Sequence, residues 1–316
     1  VRILSLADST QQRVIALEKD SYPYTALPTK KGERIYVSLW GGSGVAVVDA
    51  EKLQVTATWK VDAHPTEMVL SADESLLYVA CANSNHVHVV DTKSGETLEV
   101  ISSSLHPKSP VGSTPNSIAL SADGKALLVA NADNNTVAVV DVSKRGHSAA
   151  LGLIPTAWYP TSVRFDPKQP RILITSGKGQ SSLANPQGPN PLQALPATVQ
   201  QYIGGLFRGT LGFVESPQPA QLAVMTRVAL TNSPLAADQG PRTQGRAADH
   251  PIPAKVGEKS PIKYCIYIIK ENRTYDQIFG DMPEGNGDKN ICIFPEKVTP
   301  NHHALAREFV LLDNFY

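Results

Sequence analysis

DESLLYVACANSNHVHVVDTKSGE, residues 73–96, holds two short apolar runs separated by a polar hairpin and closed by an aspartate. Two further stretches repeat it: GERIYVSLWGGSGVAVVDAEKLQ at 32–54 and DGKALLVANADNNTVAVVDVSKRG at 123–146. Val37, Val79 and Val129 occupy one position of the repeat, and Asp49, Asp91 and Asp141 another. The valines lie 42 and 50 residues apart. An X-Pro step precedes each unit, at Pro23, Pro65 and Pro115, and again at Pro160. Each unit reads as four short strands, with β-branched runs bounded by Asn, Asp, Gly and Ser. Four strands in roughly 40–45 residues is the period of a β-propeller blade. A stack of βαβ units would need a helical pattern of about 10–15 residues between strands, and none separates these.

The expected fold is therefore mainly β: a multi-bladed β-propeller over residues 1–215, with a Gly/Ser/Pro/Gln-rich insertion at about 176–200. About four blades fit before residue 180. Val1 enters in mid-pattern, so the propeller is expected to be partial. Leu77-Tyr78-Val79-Ala80 with residues 87–91, and Leu128-Val129-Ala130-Asn131 with residues 137–141, resemble the YVTN-type β-propeller repeat. That resemblance implies a fold and leaves function open, since family members serve as binding, surface-layer or accessory modules.

Asp49, Asp91 and Asp141 each follow a strand, where a carboxylate can accept nearby backbone N–H groups. His64, His86, His88 and His106 share no ligand spacing. His88 alternates with valines, which suits either a solvent-facing or a satisfied buried imidazole. Trp158 and Tyr159, just before Pro160, are candidates to line a central channel that could hold a ligand.

The chain carries 29 basic and 29 acidic residues, which removes the electrostatic footprint expected of a nucleic-acid binder. No apolar run is long enough for a transmembrane helix. Cys81 reads as a core residue. Cys265 and Cys292 could pair or remain free. After a strand near 209–214, Ser216 and Pro217 look like a helix start, with Leu222, Met225, Val228 and Ala229 as its apolar face. Residues 216–260 are expected to be this helix and a linker, least ordered at 234–260.

From residue 261 the pattern changes. Residues 262–269 (IKYCIYII) form a nearly continuous apolar run, as in a strand buried on both faces of an α/β sheet. The run ends in Lys270-Glu271-Asn272-Arg273-Thr274-Tyr275-Asp276, where open α/β folds place ligands. A carboxylate beside an amide offers hard oxygen donors to a divalent cation. The same residues also suit an ordinary polar helix start.

The stretches IKENRTYDQIFGDMPEGNGD and TPNHHALAREFVLLDNFY resemble the opening of the phosphoesterase family, which includes phospholipase C-type and acid phosphatase-type enzymes. The resemblance implies that residues 261–316 begin an α/β, alkaline-phosphatase-like domain. It further implies that Glu271 and Asn272 help hold a catalytic divalent metal of unassigned identity, and that Arg273, Asp276 and His302 act near the phosphate or in support of the metal. His303 is a candidate for a direct catalytic role. The family's Ser or Thr nucleophile would lie beyond Tyr316, so the chain alone is expected to be inactive. A periplasmic or extracellular phosphate-ester hydrolase bearing a propeller is the leading expectation. The alternative is a non-catalytic propeller binding or surface protein with a degenerate second domain.

Overall fold

The computed structural model describes residues 1–4, 12–106, 109–180, 187–188, 201–233, 250–253 and 259–313. It resolves into two compact units, Val1–Ser181 with Arg208–Gly240, and Ser182–Phe207 with Pro241–Tyr316.

In the first unit, β1 (Arg2–Leu4) and β2 (Gln12–Val14) form a small antiparallel pair. Three four-stranded antiparallel sheets follow. The first is β3 (Pro23–Pro28), β4 (Arg34–Leu39), β5 (Gly44–Asp49) and β6 (Gln54–Lys60). The second is β7 (Pro65–Leu70), β8 (Leu76–Cys81), β9 (His86–Asp91) and β10 (Thr97–Ser102). The third is β11 (Pro115–Leu120), β12 (Ala126–Asn131), β13 (Thr136–Asp141) and β14 (Ala149–Pro155). A three-stranded sheet closes the series: β15 (Trp158–Phe165), β16 (Arg171–Gly179) and β17 (Thr210–Glu215). Each sheet is a meander in sequence order, the topology of a propeller blade. The inner strands β3, β7, β11 and β15 lie side by side in that order.

The core lies between blades. Tyr36, Val45 and Val47 of the first blade meet Met68, Leu77 and Val79 of the second. Tyr78, Val87 and Val89 meet Ile118, Leu127 and Val129 of the third. Leu128, Ala130 and Ile154 meet Val163, Ile172 and Ile174 of the fourth. The two central strands of each four-stranded blade are thus mostly covered on both faces, which is why they read as apolar runs rather than strict alternations. The outer β6 is mostly exposed.

The inner strands are laced by polar groups. Glu67 of β7 accepts from Ile118 N at 2.9 Å and Ser117 Oγ at 2.5 Å in β11, and also pairs with Arg164 of β15. Thr66 Oγ1 donates to Pro115 O at 3.0 Å.

The turn aspartates do what the repeat implies. Asp49 Oδ1 accepts from Glu51 N and Lys52 N, Asp91 Oδ1 from Lys93 N and Ser94 N, and Asp141 Oδ1 from Ser143 N. Such bonds favour the charged form. All three carboxyls sit below their ordinary pKa, Asp141 chiefly through the Ser143 hydroxyl and the other two chiefly through backbone N–H groups.

Helix α1 (Pro219–Thr231) begins later than the Ser216 start read from the sequence. Gln218 and Gln221 form a reciprocal capping pair, which leaves Ser216 and Pro217 outside the helix. Leu222 and Ala229 are buried, and Thr226 Oγ1 accepts from Leu153 N at 2.8 Å, tying α1 to β14. Val228 of the expected apolar face is exposed.

In the second unit, α2 (Tyr275–Phe279) and α3 (Pro300–Glu308) are the α-helices among the described residues. The strand expected at 262–269 does not form. These residues lie outside any sheet or helix, and Tyr264 and Ile266–Ile269 are 74–89% exposed. An apolar run becomes a central strand only when neighbouring strands supply its backbone hydrogen bonds. No strand is found among the described residues of this unit, so the expected α/β sheet is not formed there. Cys265 and Cys292 are both free. Most of the expected 234–260 linker, and of the 176–200 insertion, lies outside the described residues.

Candidate functional site

The second unit folds the two motif stretches onto each other around His303, which is fully buried. His303 Nε2 lies 2.9 Å from Asp281 Oδ1, and Nδ1 lies 2.9 Å from Thr299 O, the N-cap of its own helix. Because a carboxylate only accepts, Nε2 carries a hydrogen and donates it. Phe279 packs against the imidazole with ring centroids 5.3 Å apart. Burial alone would raise the Asp281 carboxyl, but hydrogen bonds from Glu296 N, His303 and Cys292 outweigh it and hold the pKa below the ordinary value. Arg307 of α3 grips Glu296 through both terminal nitrogens, at 2.7 and 2.9 Å, and Glu284 through Nε at 2.9 Å.

Around this pivot the other predicted residues take distinct places. Asp276, in the first turn of α2, accepts from Asp288 N at 2.8 Å and so holds the following loop. Arg273 stacks on Phe294, its guanidinium carbon 5.0 Å from the ring centroid, and donates to Asn272 O. His302 Nε2 lies 2.8 Å from Lys270 Nζ. An ammonium only donates, so Nε2 accepts and the ring is neutral. Burial first, then the charges of Lys270 and His303, depress its pKa.

Glu271 and Asn272 are exposed side by side just ahead of α2, and Glu271 Oε1 lies 3.4 Å from Asn272 Nδ2. Asn272 adopts a left-handed backbone, φ +67°, a conformation Asn tolerates better than most residues. Their donors, a carboxylate and an amide oxygen, fit part of the shell of a hard divalent cation. Among the described residues no group of three or more His, Cys, Asp or Glu side chains gathers at metal-binding geometry. The sequence reading missed Lys270 and Asp281. Lys270 adjoins the motif and Asp281 directly follows its Phe-Gly, but their partners lie 32 and 22 residues away.

In the first unit, polar and aromatic groups collect at the end of the blades where each inner strand begins. Tyr22, His64, Thr114 and Tyr159, each preceding a proline, all have left-handed backbones, with φ of +44°, +56°, +53° and +60°. Such a conformation costs on the order of 1–3 kcal/mol at a non-glycine residue, and the following proline disfavours helical backbone further. In three blades the strained carbonyl is held by the next strand: Tyr22 O accepts from Trp40 N, His64 O from Ala82 N and Thr114 O from Ala132 N, at 2.9–3.0 Å. Trp40 stacks on His64 at 3.8 Å and meets Tyr22 edge-on. Asp62 Oδ2 lies 2.7 Å from His86 Nδ1 and 3.2 Å from His88 Nε2. His88 is buried rather than solvent-facing, and its Nε2 faces Asp62 at ion-pair distance without hydrogen-bond geometry. At the opposite end, a cleft of about 560 Å³ between the first two blades is lined by charges of both signs, among them Arg34, Asp49, Glu51 and Lys93.

No helix among the described residues is long and apolar enough to cross a membrane. No curated protein matches the chain. Solved structures similar to it include a hydrazine synthase from Kuenenia stuttgartiensis, with 25% identity and a TM-score of 0.44 over 51% of this chain and 44% of that one. A protein from Lactobacillus plantarum shows 23% identity and a TM-score of 0.45 over 49% and 48%. A Bacteroides uniformis protein provisionally assigned as a 6-phosphogluconolactonase shows 15% identity and a TM-score of 0.46 over 55% and 56%. The chain spans about half the length of each. Residues 48–183, which run from the end of β5 to just past β16, match the family described as lactonase, 7-bladed β-propeller.

Proposed function

We propose that the chain belongs to a metal-dependent phosphoesterase carried beside a YVTN-type propeller, with the second unit contributing the start of the hydrolytic site. The observation that carries this reading is the arrangement of the two motif stretches. His303 with Asp281 and Arg307 with Glu284 join them, and the Glu271 and Asn272 side chains are left exposed with no partner beyond each other among the described residues. Bound there, a divalent cation would polarise the phosphoryl oxygens of an ester. Glu271 and Asn272 would hold it. Lys270 supplies a positive charge nearby, and His302 Nε2 faces it as an acceptor, with burial and then the Lys270 charge lowering the imidazole pKa. His303 positions the motif and does not meet substrate.

Hydrolysis of a chromogenic phosphate ester by the protein, with manganese, calcium or zinc added, tests this. Glu271→Ala and Asn272→Ala should each lower turnover at least about a hundredfold, and each should weaken metal binding measured by calorimetry. Metal-dependent turnover that ignores both changes would refute the assignment.

A second reading draws on the lactonase match over residues 48–183: hydrolysis of a lactone by the propeller itself. Turnover of a lactone, unaffected by Glu271→Ala and by chelators, would favour it.

A further inference from the structure

We infer that Lys270 and His302 form one donor pair that reads the terminal phosphoryl group of a phosphate monoester and sets it apart from a diester. The inference rests on the phosphoesterase reading for its substrate class, and deepens it by naming which ester the site prefers and which side chains choose it.

Lys270 directly precedes Glu271, yet the group it meets is another base. Its ammonium lies 2.8 Å from His302 Nε2, 32 residues along the chain. None of the ion pairs among the described residues includes Lys270. Arg307 and Arg273 are engaged elsewhere, the first with Glu296 and Glu284 and the second over the Phe294 ring. An ammonium held against an imidazole, with no carboxylate paired to it, gains Coulomb energy only when an anion arrives.

The hydrogen bond also fixes a tautomer. Because Lys270 donates to Nε2, the single ring hydrogen of the neutral imidazole must sit on Nδ1. His302 Nδ1 has no partner among the described residues. The ammonium keeps two further N–H groups, so the pair offers about three donors, a full positive charge and no acceptor. It does so directly ahead of Glu271 and Asn272. A monoester presents about two negative charges and three terminal oxygens, whereas a diester has about one charge and gives up an oxygen to its second ester bond. A site made of donors and positive charge favours the monoester on both counts. With Lys270 removed, the ring is free to carry its hydrogen on Nε2, which turns the Nδ1 lone pair into a second acceptor facing the oxygens. Lys270 is thus a positioning residue for His302 as well as a charge for the phosphoryl group.

Nitrogen NMR of the 316-residue protein reads the tautomer, and chemical-shift titration with phenyl phosphate and with methyl phenyl phosphate reads the preference, both without added metal. At about pH 8 the monoester is a dianion, since its second pKa is about 6. His302 should carry its hydrogen on Nδ1, and phenyl phosphate should bind at least about tenfold tighter than the diester. Lys270→Met should release the tautomer and weaken the monoester at least about tenfold, leaving the diester within about twofold. Lys263→Met removes an equal charge from the same segment and should change neither. The tautomer and the ester preference are read on the unaltered protein, so they decide the matter whether or not a variant folds. A hydrogen on His302 Nε2, equal binding of the two esters, or equal losses from the two lysine changes overturns the inference. None of these outcomes bears on Glu271 and Asn272, whose assignment is decided by metal binding and turnover of their own variants.

Discussion

Arg164 of the fourth blade reaches past the third to pair with Glu67 of the second, so that one carboxylate ties three consecutive inner strands together. The two partners are not equivalent. Half of the Arg164 side chain faces solvent, whereas Glu67 is mostly buried and receives a backbone N–H and a hydroxyl as well.

Removing the two side chains should therefore give unequal losses. Glu67→Ala leaves Ile118 N and Ser117 Oγ without their acceptor and should cost about 2–3 kcal/mol. Arg164→Ala removes an exposed ion pair and should cost about 1 kcal/mol or less. Urea unfolding of both variants provides the comparison, and equal losses would mean that the ion pair, not the backbone contact, holds the blades.

The Asp281–His303 contact sets an acid limit for the second unit. The folded Asp281 carboxyl titrates below its ordinary value of 3.8. The stability it contributes is complete above that value and is lost as the pH falls through the lower, folded pKa. Asp281→Asn should flatten this acid limb and lower stability at neutral pH. Fluorescence-monitored unfolding between pH 2 and 7, a span of about five units chosen to bracket both titrations, reads the effect.

His302 offers a direct check on the Lys270 contact. Its imidazole should titrate below the ordinary 6.5. Lys270→Met removes one cause of the depression but leaves burial, the larger one, in place. The pKa in an NMR titration should rise part of the way back to 6.5. An unchanged or lowered value would mean that Lys270 and His302 do not meet in solution.

Two glycines in the blade turns separate backbone strain from crowding. Gly95 has φ +78°, and a Cβ there would collide with the Trp59 indole. Gly124 has φ +71° with open space around it. Gly124→Ala should cost about 1 kcal/mol, the left-handed penalty alone. Gly95→Ala should cost about 2–4 kcal/mol, since it must also displace the Trp59 ring from the join between blades. Thermal melts of the pair distinguish the two effects.

Much of the first unit was legible because its signal is repeated. Three copies of a strand, a polar hairpin and a strand closed by aspartate leave little freedom, and even the looser fourth strands form as β6, β10 and β14. The helix start was misread because Ser216 is the better N-cap by residue type, while Gln218 and Gln221 cap each other. The run at 262–269 has the composition of a buried strand, but composition specifies a preference and not a partner. In the two motif stretches, the family resemblance named Glu271, Asn272 and the histidines. The contacts that distinguish His302 from His303 come from Lys270 and Asp281, both distant in the chain, and no local pattern encodes them.

The bare run at 262–269 also governs how the protein behaves in a tube. Tyr264 and Ile266–Ile269 present β-branched and aromatic side chains with no acidic residue or proline among them, and only Lys263 and Lys270 flank them as charges. Short segments of that kind stack into cross-β fibrils when their backbone is unpaired. Turbidity and thioflavin fluorescence should therefore rise with concentration from this stretch first. Ile268→Lys would place a gatekeeper charge in its middle and keep concentrated solutions clear.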